Sequence, residues 1–190
     1  METPLAMGID VSLTRTGVAF VGDPLDGGIE TYSFGRSGKR NESLLQRHER
    51  LKTLSDQVIN AIDDHMEHPR IACIEDVAFG TPGGSTTDRA ALWWFIVDGL
   101  IRRSIPVLQI NVSKVKIYAT GRGNKHEKDE VMLSIVRRYP DAPIQNNDEA
   151  DATALGAMGA RLLGRPYETS LPLTHLRALQ DLDETTRGAL

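Results

Sequence analysis

Three observations make this sequence predict an α/β fold, with a five-stranded mixed sheet flanked by helices. Three strand patterns come first, with short connections, as in an antiparallel meander. Helical and strand periodicities then alternate, which is the pattern of an α/β domain. Two of the apolar strand patterns, separated by some sixty residues, each end on an acid: Asp10 after Leu5-Ala6-Met7-Gly8-Ile9, and Glu75 after Ile71-Ala72-Cys73-Ile74.

The first two strands, 5–10 and 16–21, are joined by the tight link Val11-Ser12-Leu13-Thr14-Arg15, and Gly27-Gly28 breaks the chain before a third at 29–34. Leu44, Leu51, Leu54, Val58 and Ile62 then recur at helical spacing within 42–65, with Asn41 as the candidate cap. A strand at 70–75 precedes a polar, Gly-rich loop at 80–87, and an apolar helix with Trp93, Trp94 and Phe95 is expected at 88–103. Residues 106–110 form the fifth strand. A short helix, the link Gly121-Arg122-Gly123-Asn124, and helices at 127–138 and 147–163 complete a domain expected to span 1–165. Beyond Gly164-Arg165-Pro166, Leu171, Leu173, Leu176, Leu179 and Leu182 mark a helical extension over 166–190, which either packs on the domain or contacts another subunit.

At 190 residues the chain suits one hydrophobic core, and 40% apolar with 25% charged residues is ordinary for a globular protein. It has no apolar stretch long enough to cross a membrane, and Met1-Glu2-Thr3-Pro4 lacks a signal layout. The single cysteine, Cys73, lies in a strand and excludes an internal disulfide, which fits a cytoplasmic location. The net charge of −4 argues against a nucleic-acid partner until its distribution is considered. Segments 36–52 and 114–138 each sum to +4 and together hold 13 of the 22 Lys and Arg residues. A locally basic face of this kind can still bind a phosphate backbone.

An acid ending a buried strand is costly unless its charge is compensated. Asp10 alone could simply bond the amides of the turn that follows it. The second strand-end acid weakens that reading, although Asp76 beside Glu75 leaves open which of the two faces inward, since neighbours in a strand alternate. Asp148 and Asp151 lie at i, i+3, on one face of a helix. Acids in a first helical turn are also stabilised by the helix dipole, with Asn147 as a possible cap. The small residues Ala150, Ala154, Gly156 and Ala157 would let that helix approach a sheet closely. Four converging carboxylates would repel one another unless divalent cations sat among them. Carboxylates suit Mg²⁺ or Mn²⁺, and no His/Cys cluster invites zinc.

Taken in order, Gly8-Ile9-Asp10 with Gly17 downstream, Ile74-Glu75-Asp76-Val77-Ala78-Phe79, Val115-Lys116 through Gly121-Arg122-Gly123 to Lys128, and Asp148-Glu149-Ala150-Asp151-Ala152 resemble the RNase H-like superfamily. The chain looks most like the RuvC-type Holliday-junction resolvases over residues 5–163. The resemblance implies an RNase H-like fold and a structure-selective endonuclease that nicks branched DNA in pairs by two-metal phosphodiester hydrolysis. Two Mg²⁺ ions, replaceable by Mn²⁺, would be held by Asp10, Glu75, Asp148 and Asp151. Lys128 joins the four acids as a catalytic candidate. Lys116, Lys125, Lys128 and Arg122 would contact phosphate, and Phe79 would act as a base wedge. Substrates would be four-way junctions, flaps or forks, cut by a homodimer built on the Trp-rich helix.

The sequence departs from the family in its more polar residues at 149 and 153, a Lys116–Lys128 interval about one residue longer, the leucine segment and the acidic net charge. These mark a divergent member, of a kind a phage could carry, acting then in the host cytoplasm. A junction binder that has lost cleavage is the alternative, although it would not need all four acids. An actin- or sugar-kinase-like phosphotransferase shares the Gly-Ile-Asp strand but needs a second lobe that 190 residues do not supply.

Overall fold

The computed structural model describes residues 6–23, 28–65, 68–77, 84–123 and 129–182. Five strands, β1 (Ala6–Asp10), β2 (Thr16–Val21), β3 (Ile29–Phe34), β4 (Ala72–Glu75) and β5 (Val107–Ile110), form one sheet in the order β3-β2-β1-β4-β5. The first three pair antiparallel, whereas β1–β4 and β4–β5 are parallel, so the sheet is mixed as expected. Its parallel half follows from the helices α1 (Leu44–Asp63) and α2 (Gly84–Arg102), which cross over between strands.

Strand alternation divides β1 between two cores. Met7 and Ile9 pack with Leu54, Val58, Ile62, Leu92 and Ile96 of α1 and α2. Ala6, Cys73, Leu108 and Ile110 face the other way, against α3 (Val112–Thr120), α4 (Glu130–Arg138) and α5 (Asn147–Leu162). Cys73 is fully buried and its thiol is pushed up to about 12 by that burial, so it is an inert core residue.

Two glycines set how closely α5 lies on the sheet. A Cβ at Gly8 would fall 1.9 Å from the Ala152 carbonyl oxygen, and one at Gly17 would fall 2.1 Å from that of Asp148. No side chain fits in either place, so the helix backbone rests directly on β1 and β2.

Several boundaries differ from the sequence expectation. Helix α1 is capped by Ser43 rather than Asn41: Ser43 Oγ accepts from Gln46 N–H, and Gln46 Oε1 accepts from Ser43 N–H, a complete capping box. Helix α2 begins at Gly84 rather than near 88, because the Ser-Thr-Thr run forms its first turn instead of a loop. Asn146, not Asn147, caps α5, its Oδ1 accepting from Glu149 N–H. The leucine segment is a single turn, α6 (Leu173–Leu176), followed by a 3₁₀ turn at Arg177–Leu179. It packs against α3, with Ala178 and Leu182 joining the α5-side core while Leu173 stays exposed.

Candidate active site

In β1, Gly8 faces α5, so by alternation Asp10 does too. In β4, Cys73 meets Gly159 of α5, which puts Glu75 on the same side. The parallel register pairs Gly8 with Cys73 and Ile9 with Ile74, and one further step brings Asp10 level with Glu75. Asp76 lies past the strand end, where its carboxylate accepts from Gln109 Nε2. Glu75, not Asp76, therefore shares the pocket with Asp10.

Asp10, Glu75, Asp148 and Asp151 line one cleft of about 620 Å³, together with Lys116 of α3 and Arg89 of α2. Asp10 is 7% and Glu75 9% exposed. The Asp10 carboxyl is held well above the ordinary carboxylate range by burial first, then by repulsion from Glu75, Asp151 and Asp148. Burial, then Asp151, pushes Glu75 up to about 7, against the pull of Arg89 and Lys116. Asp151 rises to about 6 through burial and its neighbour Asp148. Asp148 is raised by burial and partly relieved by Arg15, whose Nε lies 3.6 Å from its Oδ2. The turn after Asp10 is closed by Thr16, whose hydroxyl donates to the Ser12 carbonyl at 2.7 Å, so Asp10 is not needed to brace it.

The donor set fits hard divalent cations: four carboxylate side chains, with no His or Cys lining the cleft among the described residues. Among those residues no three His, Cys, Asp or Glu side chains close into a formed ligand cluster. The acids share a field without meeting at one point.

Other predicted residues separate. Lys116 lines the cleft and pulls on both Glu75 and Asp151. Arg122 is exposed and paired with Glu130, outside the cleft lining. Phe79, Lys125 and Lys128 lie outside the described residues. Trp93 and Trp94 divide as alternation around a helix requires. Trp93 is buried and donates its indole N–H to the Glu75 carbonyl at 2.9 Å, holding the end of β4; Trp94 is 61% exposed.

Sequence reasoning missed Arg89. Its Nε donates to the Val11 carbonyl at 3.0 Å and its guanidinium lies 3.9 Å from Glu75, so it bridges the ends of β1 and β4. No spacing marks it, because its role depends on where α2 lands. In the sequence Glu149 stands out only as a residue more polar than the family pattern. It turns away from the cleft and is buried, accepting from Gln145 N–H at 2.7 Å and Asn146 Nδ2 at 2.8 Å. The departure from the family pattern at 149 is therefore a brace for the start of α5.

The family model described as crossover junction endodeoxyribonuclease RuvC matches residues 6–158. The solved structure of T. thermophilus RuvC in complex with a Holliday junction substrate superposes with a TM-score of 0.65 at 17% identity, covering 84% of this chain and 94% of that one. Thermus thermophilus RuvC in a second structure gives 0.62 at 17% identity, over 84% and 96%. The yeast mitochondrial Holliday junction resolvase Ydc2 gives 0.55 at 13% identity, over 98% and 84%. No match is found among curated proteins. The fold is thus RNase H-like, as in these resolvases. With four-fifths of its length matched, the chain belongs to the RuvC family of crossover junction endodeoxyribonucleases, hydrolases that cut DNA at branched junctions.

Proposed function

We propose that this chain cuts four-way DNA junctions by hydrolysis at the acidic cleft, with two divalent cations, Mg²⁺ or Mn²⁺, held by Asp10, Glu75, Asp148 and Asp151. The observation that carries this reading is the convergence of four acids from three elements in one cleft, with Asp10 and Glu75 buried among like charges and Asp151 partly buried beside them. A fold maintains such repulsion when bound cations relieve it. When bound, the ions supply Lewis acidity that activates a water and stabilises the leaving 3′ oxygen.

The chain's own residues do the rest. Asp10 and Glu75 present carboxylates from the sheet, and Asp148 and Asp151 from α5, so the ligand frame is as rigid as the contact between them. Lys116 offers a positive charge to a phosphate oxygen entering the cleft, and Arg89 keeps the two strand ends in register. Arg122, Lys125 and Lys128, which fall between α3 and α4 in the sequence, are assigned to phosphate contacts, Lys128 also as a catalytic cation, and Phe79 as the base wedge. The junction-bound T. thermophilus relative supports branched DNA as the substrate. Paired nicks require two clefts, and α2 offers a surface for a homodimer: Trp94 and Ile101 lie seven residues apart on one helix face, each 61% exposed. Among the described residues no helix is long and apolar enough to cross a membrane, and the lone buried thiol suits a cytoplasmic site of action.

Binding and cleavage of a synthetic four-way junction, with flap and fork substrates beside it and with Mg²⁺, Mn²⁺ or chelator, test this reading. Binding in chelator with cleavage only in metal is expected. Cleavage in chelator, or an Asp10→Asn protein that still nicks, would refute the metal role. Sedimentation at a single-chain mass under working conditions would remove the paired-nicking part.

A further inference from the structure

The basic segment 36–52 divides into two halves once its partners are known. Arg47 and Arg50 both bond the Asp88 carboxylate, and Arg50 also donates to Glu42 at 3.0 Å, with its side chain almost fully buried. Lys52 pairs with Asp56 one helical turn on. These three charges are compensated internally. Arg36, Lys39 and Arg40 are exposed and make no ion pair among the described residues. They line a concavity of about 790 Å³ on the approach to α1, where Glu42 is already engaged by Arg50 and Glu49 is the other acid.

This ledge is tied at its start to a wall of the acidic cleft and, through α1, to the helix that carries Arg89. At its start Gly35 lies against the backbone of Thr14 and Arg15, so tightly that a Cβ there would fall 1.9 Å from the Thr14 carbonyl oxygen. Thr14 lines the cleft and Arg15 pairs with Asp148. At its end Arg50 ties α1 to Asp88, the residue preceding Arg89. Arg36 follows Gly35 directly in the chain, so the displayed cations begin one residue after a segment seated on the backbone of the cleft-lining Thr14.

We infer that Arg36, Lys39 and Arg40 form a second phosphate-binding ledge, which grips the DNA arm next to the cut through its backbone and without reading sequence. The inference rests on the nuclease reading above and deepens it by naming where the flanking duplex lies. Backbone contacts release condensed counterions, so their removal has a thermodynamic signature distinct from a general loss of fold.

The test compares wild type with R36Q/K39Q/R40Q in chelator, measuring junction affinity from about 50 to about 300 mM salt, with melting temperature as the control for folding. The triple variant is expected to melt like wild type and to bind at least about tenfold more weakly at low salt. Its plot of log affinity against log salt should be shallower by about 2 to 3, the value for three lost phosphate contacts. An unchanged slope with wild-type binding intact overturns the ledge and leaves the nuclease reading standing. Inorganic phosphate that raises the melting temperature of wild type but not of the variant, again with an unchanged junction slope, identifies a free-anion site and also overturns it. Wild type that neither binds nor cuts branched DNA sinks the nuclease reading itself.

Discussion

Two regions of this molecule bury carboxylates to the same degree and treat them in opposite ways. Glu168, like Glu75, is 9% exposed. Burial alone would raise its pKa, but hydrogen bonds from the Tyr139 and Tyr118 hydroxyls and from Arg161 outweigh that, and its carboxyl lies below the ordinary range. Asp10 and Glu75 receive other acids where Glu168 receives donors, and they are raised. The first arrangement joins the C-terminal segment to α3, α4 and α5. The second stores electrostatic repulsion that Arg15, Arg89 and Lys116 offset only in part. Burial of an acid therefore says nothing about function until its neighbours are known.

The largest expected contrast is between Asp10→Asn and Glu168→Gln. The first should lower junction cleavage by about a hundred- to a thousandfold, the scale of losing a main charge-stabilising group. It should also raise the metal-free melting temperature, since one like charge is gone. Glu168→Gln should lose about 1–3 kcal/mol of stability, or roughly 2–4 °C per kcal/mol, yet keep metal-dependent cleavage. Calorimetry and a junction-nicking assay on both proteins decide it. If both variants lose stability alike, the comparison fails.

Metal should sharpen the contrast. At 100 times its dissociation constant a divalent ion adds about 2.7 kcal/mol of stability. Wild type and Glu168→Gln should show that increment on Mg²⁺ addition at pH 7.5, and Asp10→Asn should show much less. Removing the metal should abolish cleavage reversibly.

The two regions also predict opposite pH slopes. Glu75 and Asp151 have folded values of about 7 and about 6, above their ordinary 4.5 and 3.8, so the folded state binds more protons than the unfolded. Their contribution to metal-free stability is present in acid and lost as the pH rises from about 4 to about 7. Glu168 is lowered, so its contribution is present above its ordinary 4.5 and lost as the pH falls through its folded value. Melting curves across pH in chelator should flatten on the neutral side for Glu75→Gln and on the acid side for Glu168→Gln.

Smaller effects follow at the borders of the cleft. Arg89→Gln should lower cleavage by about 10- to 100-fold through misplacement of the strand ends, while junction affinity changes little. Asp76→Asn, facing Gln109 instead of the cleft, should stay within about 0.5 kcal/mol and keep its activity. A large loss in that variant would mean that the alternation argument for Glu75 is wrong.

Much of the fold was legible because it rests on short-range patterns. The five strands and the first acid were readable from apolar runs, and Asp148 and Asp151 from helical spacing. Caps were less so, since Asn41, Ser43, Asn146 and Asn147 are all competent and only the path of the chain selects Ser43 and Asn146. The basic segment 36–52 read as one +4 patch, but three of its charges are held by Glu42, Asp56 and Asp88, the last nearly forty residues away.

Read as a string, the chain dictates which residues alternate, which share a helix face and which acids end up at strand termini, because each of these depends on backbone geometry over a few residues. Folding alone could bring α5 down onto Gly8 and Gly17, turn Glu75 instead of Asp76 toward Asp10, and carry Arg89 between two strand ends. Those outcomes depend on contacts between distant segments, where close packing, not local periodicity, selects the arrangement.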